Sequence, residues 1–145
     1  MLPDSIELII VTPERQLLRE SAVEVTLPGA DGQLGVLPGH APLITELGIG
    51  ELSYRAEGGG DGTLAIISGF AEVLGNRATV LAETAERPEE IDLARAEQSK
   101  KRAEERLAAA ANNPEIDWAR AAIALQRSLI RIQIARKQSS VRVSS

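Results

Sequence analysis

The spacing of apolar residues changes once along the chain, and this change divides the chain into two parts. Up to about residue 86, short runs rich in Val, Ile, Leu and Thr are separated by Gly and Pro. Val23, Val25 and Leu27 alternate with polar residues, which is the period of a half-buried strand. Residues 6–12 form another such run. The first part is therefore predicted to be β structure.

Short turns separate the later runs of the first part. Residues 63–68, 70–74 and 77–83 are three strand-like runs, and only Gly75 and Asn76 separate the last two. A two-residue connection of this kind is typical of a tight β-hairpin. Many short strands at such spacing predict an antiparallel sandwich or barrel rather than a parallel α/β sheet.

From Pro88 onward the chain has the composition of helices. No Gly follows Gly75, and Ala, Glu, Arg, Gln and Leu dominate. The sequence Asn-Asn-Pro at 112–114 interrupts the pattern and predicts an antiparallel hairpin of two helices, the second ending near Lys137. The predicted contact stripes are Leu93, Ala96, Lys100, Ala103, Leu107 and Ala110 on the first helix and Trp118, Ala122, Leu125, Leu129 and Ile132 on the second.

These patterns predict an N-terminal antiparallel β-sandwich over residues 1–87 and a C-terminal antiparallel two-helix hairpin over residues 88–138. Residues 139–145 are predicted to be a flexible tail. The first helix offers little apolar bulk beyond Leu93 and Leu107, and burial at roughly 2 kcal/mol each would hold the hairpin only weakly. The hairpin is therefore predicted to be a mobile element beside a stable sandwich.

Composition narrows the chemistry that the chain can perform. It has no Cys and a single His, His40, so disulfides and thiolate nucleophiles are excluded and a zinc site lacks ligands. The start of the chain lacks the basic and apolar regions of a signal peptide, and no apolar run approaches the roughly 18 residues of a membrane span. The chain is expected to be cytosolic, or peripheral on the cytosolic side of a membrane.

Charge is distributed unevenly between the two parts. Residues 1–87 carry 13 acidic and 5 basic residues, whereas residues 88–145 carry 8 acidic and 11 basic ones. From Arg120 to Lys137 every charged residue is basic. An acidic protein surface, a nucleotide phosphate and a nucleic acid are each candidate partners for this basic segment.

Sequence motifs for hydrolysis or phosphoryl transfer are absent. The chain has no G-x-x-x-x-G-K-[ST] loop, no G-x-S-x-G elbow and no H-E-x-x-H. His40 lies between two prolines without an evident nucleophile beside it, so a structural or interface role is favoured over that of a catalytic base. A small hydrolase built on His40, Asp31 and Glu46 is a hypothesis that His40→Ala would test.

Arginines recur at helical spacing, so each predicted helix carries a row of them. Two such rows could bind one anion, because arginine binds phosphate bidentately. The alternative is that both rows are solvated helix faces. Asp92 is either the N-cap of the first helix or an acceptor for an adenine amino group or a ribose. The rows are Arg95, Arg102 and Arg106 on the first helix and Arg120, Arg127 and Arg131 on the second.

Three segments of the chain resemble the epsilon subunit of F-type ATP synthases. They are Gly-Gln-Leu-Gly-Val-Leu-Pro-Gly-His-Ala-Pro at 32–42, Ser-Gly-Phe-Ala-Glu-Val at 68–73 and Ile-Asp-Leu-Ala-Arg-Ala at 91–96. Their order and spacing match the family too, and the resemblance extends from about residue 6 to residue 137. It implies a non-catalytic subunit of the central rotor that needs no metal and no cofactor.

The resemblance also implies partners. The β-sandwich would clamp the gamma subunit and touch the membrane-embedded c-ring, on the cytoplasmic side of a bacterial plasma membrane. The hairpin would fold against the sandwich or extend along gamma to the alpha and beta subunits, where it blocks ATP hydrolysis. Nucleic acid would then be no partner, and a nucleic-acid-binding adaptor using the basic second helix is the alternative function. The implied contacts are Gln33, Leu34, Val36, Leu37, Pro38, His40 and Pro42 with gamma or the c-ring, and Arg120, Arg127, Arg131, Arg136 and Lys137 with beta.

ATP is the regulatory ligand that the resemblance implies. Some bacterial members of the family bind ATP on the folded hairpin through a motif like that at residues 91–96. ATP would stabilise the folded hairpin, and scarcity of ATP would free it to extend. The implied ATP-binding residues are Glu86, Ile91, Asp92, Arg95, Ala96, Arg102, Arg127 and Arg131.

Overall fold

The chain forms two compact units, residues 1–86 and residues 87–145. The computed structural model describes the backbone of residues 2–144 and the side chains of residues 2–137. The first unit is built from strands and the second from helices. A β-sandwich followed by a two-helix hairpin, as the sequence predicts, is confirmed.

Six strands make up the first unit, and three of them are 14 residues long. The sequence predicts two runs, 63–68 and 70–74, but the structure has one continuous strand over both. At their junction Ser68 and Gly69 adopt positive φ angles of 59° and 137°. The strands are β1 (Ile6–Val11), β2 (Gln16–Gly29), β3 (Gly32–Val36), β4 (Leu43–Ala56), β5 (Asp61–Leu74) and β6 (Arg77–Glu86).

The sheet of the first unit closes on itself. Its order is β1-β6-β5-β4-β2-β3, and β1 also pairs with β2, so five strands form a ring and β3 extends β2. All neighbours are antiparallel except β1 and β6, which run parallel, with Ile10 opposite Val80. The sequence did not predict this parallel pair. It joins the first strand to the last, and no local turn signal connects strands so far apart.

Aliphatic side chains fill the inside of the closed sheet. In β1, Ile6, Leu8 and Ile10 are fully buried while the residues between them are half-buried, which is the alternation expected of a strand with one face inward. A fully buried Val, Leu or Ile stabilises a fold by roughly 1.5–3 kcal/mol. The largest fully buried side chains of the sheet are Ile6, Leu8, Ile10, Val25, Leu27, Val36, Leu52, Leu64, Ile66, Val73 and Val80.

The structure confirms the tight β-hairpin between β5 and β6, which the sequence predicts from Gly75 and Asn76. Gly75 and Asn76 both have positive φ, 58° and 62°. Positive φ at both central positions is the requirement of the type I′ turn, whose twist matches that of the flanking strands.

The second unit begins with one 3-10 turn at Pro88–Glu90 and continues as α1 (Leu93–Ala110) and α2 (Trp118–Ser144). Ala96 and Ala103 are buried on α1, and the other four members of its predicted stripe are partly buried. Helix α2 continues through residues 139–144, where the sequence predicts a tail outside the helices. No Gly or Pro follows Lys137 to end the helix. Ser145 and the side chains after Lys137 lie outside the described residues.

The predicted contact stripe of α2 is partly wrong: Leu125 and Ile132 do belong to the buried face, but the centre of that face is rotated from the predicted one by about 60°, one sixth of a helical turn. Trp118 is 63% exposed and Leu129 is 45% exposed. The stripe that matches the buried face of α1 consists instead of mostly small residues spaced by three and four, which fit closely against the alanines of α1. These residues are Ala121, Leu125, Ser128, Ile132 and Ala135, of which Leu125 is half-buried and the others buried.

Candidate functional site

Two aspartates begin the helices of the hairpin and so position its charged side chains. Asp92 Oδ1 accepts a hydrogen bond of 3.1 Å from the Arg95 backbone N–H, and Asp117 Oδ1 accepts one of 3.1 Å from the Arg120 backbone N–H. Each carboxylate thus satisfies a backbone N–H that has no partner within its helix. The N-cap role that the sequence offered for Asp92 is therefore present in the structure.

The turn between the helices is closed by Asn113. Its side-chain Oδ1 accepts a hydrogen bond of 3.0 Å from the Glu115 backbone N–H, and its carbonyl oxygen accepts one of 3.2 Å from Ile116. An asparagine that binds its own backbone two residues on is an Asx turn. These two local bonds order the turn between α1 and α2.

Both arginine rows lie on the same side of the hairpin. Glu97 and Arg136 form an ion pair of 3.4 Å that marks one side. Successive residues rotate by about 100° around a helix. Relative to the buried stripes, the two rows therefore fall on the side opposite Glu97 on α1 and opposite Arg136 on α2. The rows are Arg95, Arg102 and Arg106, and Arg120, Arg127 and Arg131.

The same ion pair sets which arginines are level with each other. Arg102 lies five residues after Glu97 and Arg131 lies five residues before Arg136, so antiparallel helices place Arg102 and Arg131 at about the same height. The Arg102 guanidinium also donates a hydrogen bond of 3.4 Å to Ser99 Oγ. Two guanidinium groups at one level could engage the same phosphate chain.

At the closed end of the hairpin a depression of about 530 Å³ brings the two rows together. Arg106 and Arg120 both line it, which agrees with the placement of the rows on one side. Glu115 and Asp117 lie there as well. The negative charges make this end less suited to an anion than the level of Arg102 and Arg131.

The remaining residues assigned to ATP differ in position and burial. Ile91 is half-buried beside the start of α1, whereas Ala96 is buried in the contact between the helices. Glu86 is the last residue of β6 and belongs to the first unit. The assignment of these residues to ATP stays a prediction.

A second candidate site is the loop of residues 37–42, which the N-terminal segment and the β5–β6 turn hold in place. Asn76 Nδ2 donates a hydrogen bond of 2.6 Å to the Ser5 carbonyl, and the Gly39 backbone N–H donates one of 3.4 Å to Asn76 Oδ1. Gly39 has a φ of 85°, and a Cβ atom there would come within 2.6 Å of Leu2. The positive φ favours glycine at this position, whereas the side chain of Leu2, which is 73% exposed, can move away from a Cβ atom.

The predicted contact residues around this loop are not equally accessible. Leu37 is exposed, and His40 and Pro38 are half-exposed, with His40 Nδ1 2.7 Å from the Ala41 carbonyl. Gln33 and Pro42 are exposed and Leu34 is half-buried. Val36 is fully buried in the core, so a partner could reach it only through its backbone.

Sequence reasoning missed an exposed surface on the outer side of β4, β5 and β6. Ile44, Phe70, Leu74 and Leu81 are all more than half exposed there. Glu46, Glu72 and Glu83 are exposed between them. A signal was present in the sequence, since an apolar residue two positions before a glutamate recurs as Ile44 and Glu46, Phe70 and Glu72, and Leu81 and Glu83. Side chains two apart share one face of a strand. These seven residues are called the outer face below.

The described residues contain no cluster of His, Asp or Glu arranged to hold a metal ion. Within the same part of the chain, neither helix is both long enough and apolar enough to cross a membrane. The features that stand out are surfaces: two rows of arginine, a fixed loop and an outer face with apolar and acidic residues. They define a protein that binds partners.

Comparison with known proteins identifies the group of partner-binding proteins to which these units belong. The family of the ATP synthase delta/epsilon chain beta-sandwich domain matches residues 5–88, and that of the delta/epsilon chain long alpha-helix domain matches residues 89–136. The chain therefore belongs to the ATP synthase delta/epsilon chain family. It is an epsilon-type subunit of the central stalk, which is not a catalytic subunit of the complex. This membership replaces the hydrolase hypothesis.

Relatives match the chain over most of its length. The ATP synthase epsilon chain of Koribacter versatilis is 56% identical over 106 residues, which are 73% of this chain and 74% of that protein. The epsilon chain of Syntrophomonas wolfei is 45% identical over 94% of this chain and 98% of its own length. A chain in the structure of the Euglena gracilis mitochondrial ATP synthase, OSCP/F1/c-ring, has a TM-score of 0.77 and 26% identity over 93% of this chain and 83% of that one.

Proposed function

We propose that this chain couples the gamma subunit to the c-ring in the rotor of a proton-translocating F-type ATP synthase and inhibits ATP hydrolysis through its hairpin, with ATP as a regulatory ligand. The proposal of regulation by ATP is supported by the placement of both arginine rows on one side of the hairpin. Arg102 and Arg131 lie there at about the same height along the helix axes. The complex would lie peripherally on the cytoplasmic side of a bacterial plasma membrane, because the relatives named above are bacterial epsilon chains.

The β-sandwich is the unit that docks on the rotor in this proposal. Its core is closed and aliphatic, so it can transmit torque without changing shape. The loop of residues 37–42 is held by Asn76 at one end of the closed sheet, which suits a contact that must keep its form while the rotor turns. The proposed partners are the gamma subunit and the c-ring.

ATP would bind beside the level of Arg102 and Arg131 and stabilise the hairpin in its folded form. A guanidinium group presents several N–H donors in a fixed fork, so arginines of the two helices can share the oxygens of one phosphate chain. ATP that binds one arrangement of the hairpin better than another shifts the population toward it. The helices alone are held mainly by small residues, so ligand binding could decide between the arrangements.

Calorimetric titration of the full chain with ATP and Mg²⁺ tests this ligand. We expect one saturable site in the unmodified chain and its loss in Arg102→Gln and in Arg127→Gln. Lys101→Gln is the matched control, since Lys101 is an exposed cation on the other side of α1. Absence of binding up to millimolar ATP would contradict the ligand and leave the rotor assignment intact.

The inhibitory function belongs to the basic segment of α2. Arg120, Arg127, Arg131, Arg136 and Lys137 would meet an acidic surface of the beta subunit. Arg127 and Arg131 are assigned to both ATP and beta, so bound ATP would mask part of the inhibitory surface. This overlap makes the two uses mutually exclusive.

An ATPase assay tests inhibition with variants that leave the arginines assigned to ATP unchanged, so the two functions can be separated. The full chain is added to a catalytic subcomplex of alpha, beta and gamma subunits, at low ATP. We expect hydrolysis to fall with the unmodified chain and to be restored when Arg120→Gln, Arg136→Gln and Lys137→Gln are combined. Lys101→Gln should inhibit like the unmodified chain. Equal inhibition by the triple variant would show that these cations are not the inhibitory contact.

A further inference from the structure

A serine hydroxyl holds the side chain of one arginine in the row on α1. Arg102 Nη2 donates a hydrogen bond of 3.4 Å to Ser99 Oγ. Ser99 comes three residues before Arg102, so the two side chains are neighbours on one side of the helix. Ser99 is half-buried, whereas Arg102 is exposed. The short, half-buried side chain thus offers an acceptor to the long, exposed one.

The acceptor beside Arg102 is neutral, which distinguishes this arginine from those that are held by carboxylates. Within the described residues the Arg102 side chain makes no ion pair, and Ser99 is its one hydrogen-bond partner. The pairs with carboxylates are Arg19 and Arg77 with Glu7, Arg55 with Glu24 and Arg136 with Glu97. A carboxylate orients a guanidinium group and also neutralises it, whereas a hydroxyl orients it and leaves its charge available to an anion.

Most of the hydrogen-bonding capacity of Arg102 remains available to a ligand. A guanidinium group has several N–H donors, and the bond to Ser99 uses one of them. A long side chain on a helix surface has many rotamers, and the loss of that freedom opposes the binding of a phosphate. A hydrogen bond that restricts Arg102 before the ligand arrives therefore favours binding.

Helix stability does not account for a serine at this position. Serine is a weaker helix former than alanine, and α1 is otherwise rich in alanine. Ser99 lies in the interior of α1, away from the ends where a serine hydroxyl can cap a helix. The bond to Arg102 is the interaction that gives this hydroxyl a use.

We propose that Ser99 is a positioning residue for Arg102: its hydroxyl orients the guanidinium group before ATP binds and leaves the charge and the other N–H donors for the phosphate chain. This inference rests on the proposed function, because it takes ATP as the ligand of the arginine rows. It adds to that site a residue that acts through Arg102.

Calorimetric titration of the full chain with ATP and Mg²⁺, compared with thermal unfolding, tests the role of the hydroxyl. Ser99→Ala should weaken ATP binding by about 3- to 10-fold, the contribution of one neutral hydrogen bond. Ser99→Thr keeps a hydroxyl and should bind nearly as well as the unmodified chain. The hairpin should nevertheless be most stable with alanine and least stable with threonine, because alanine is the best helix former of the three and threonine the weakest. A role in helix stability alone would place the affinities in the same order as the stabilities.

Nuclear magnetic relaxation of Arg102 Nε in the chain without ATP measures the orientation itself. We expect a lower order parameter in Ser99→Ala, because the side chain then moves more freely, and recovery in Ser99→Thr. A weaker affinity of Ser99→Ala with an unchanged order parameter would assign the hydroxyl to direct contact with ATP and so overturn the positioning role.

Ser128→Ala is the matched control, since it removes the same hydroxyl from the other helix. Ser128 Oγ donates a hydrogen bond of 3.0 Å to the Ala124 carbonyl of its own helix. This variant should bind ATP like the unmodified chain. Unchanged affinity of Ser99→Ala, or an equal loss in Ser128→Ala, would overturn the inference. Absence of ATP binding by the unmodified chain would instead overturn the proposed ligand.

Discussion

Glu97 Oε1 lies 3.4 Å from Arg136 Nη2, and this ion pair joins the first turns of α1 to α2 across the hairpin. The side chains are 50% and 65% exposed, so water and salt screen the pair. Arg136 belongs to the cations assigned to the beta subunit. Arg136 can therefore leave Glu97 and bind a partner with little loss of free energy.

The weakness of this pair can be measured with a double-mutant cycle of Glu97→Gln and Arg136→Gln. We expect a coupling free energy of at most about 1 kcal/mol in thermal unfolding, falling further at high salt. Glu104→Gln, on the same side of α1, replaces Glu97→Gln in the control cycle and should show no coupling. A coupling of several kcal/mol would mean that the pair locks the hairpin.

The junction within β5 offers a prediction about the sandwich. Gly69 has a φ of 137° and no room for a Cβ atom beside Leu81 and Ala82. Gly69→Ala should therefore lower the free energy of unfolding by about 2–4 kcal/mol, since both the backbone strain and the overlap act on buried strands. Urea unfolding of the full chain would measure it.

Gly35→Ala is the matched control for this substitution. Gly35 lies in β3 of the same unit, and no atom comes within 4 Å of a Cβ atom placed there. The control should change the free energy of unfolding by less than about 1 kcal/mol. Similar losses in the two variants would contradict the steric explanation for Gly69.

Local sequence signals predicted the elements of this fold better than their long-range arrangement. Gly75 and Asn76 suffice for the β5–β6 hairpin, because the turn depends on two backbone conformations. The parallel pairing of β1 with β6 depends on closure of the whole sheet, which no single segment encodes. Large apolar residues such as Trp118 and Leu129 suggest the wrong centre for the buried face of α2, because the alanines of α1 pack against small residues such as Ala121 and Ser128.

In the candidate sites, too, the sequence predicts local features better than long-range ones. The arginine rows follow from helical spacing alone, but their placement on one side of the hairpin needs the register that Glu97 and Arg136 report. In the sequence the outer face shows only as a repeated apolar residue two positions before a glutamate, and the pairing of three strands is needed to bring these residues together. Sequence therefore identified candidate side chains, and the tertiary register decided which of them lie together.

Asn76 connects segments that are distant in sequence, and its replacement tests what holds the loop of residues 37–42. Asn76→Gly keeps the positive φ of the turn but removes the bonds to Ser5 and Gly39. We expect a loss of about 1–2 kcal/mol and faster amide hydrogen exchange in residues 37–42. Asn76→Ala should cost more, because alanine also disfavours the positive φ. Unchanged exchange in the glycine variant would show that the side chain does not hold this loop.

Asp92 is assigned two roles, N-cap of α1 and ligand of ATP, and Asp92→Ser distinguishes between them. Its Oδ1 caps α1 through the Arg95 backbone N–H, and the ATP proposal gives the same carboxylate a ligand role. Asp92→Ala should destabilise the hairpin by about 1 kcal/mol, and Asp92→Ser should restore most of that loss because serine is an equally good N-cap. Circular dichroism of thermal unfolding measures the cap, and titration with ATP and Mg²⁺ measures the ligand. If Asp92 binds ATP, affinity stays low in the serine variant although the helix has recovered. Recovery of both properties would assign Asp92 to the cap alone and transfer ATP recognition to the arginines of the two rows.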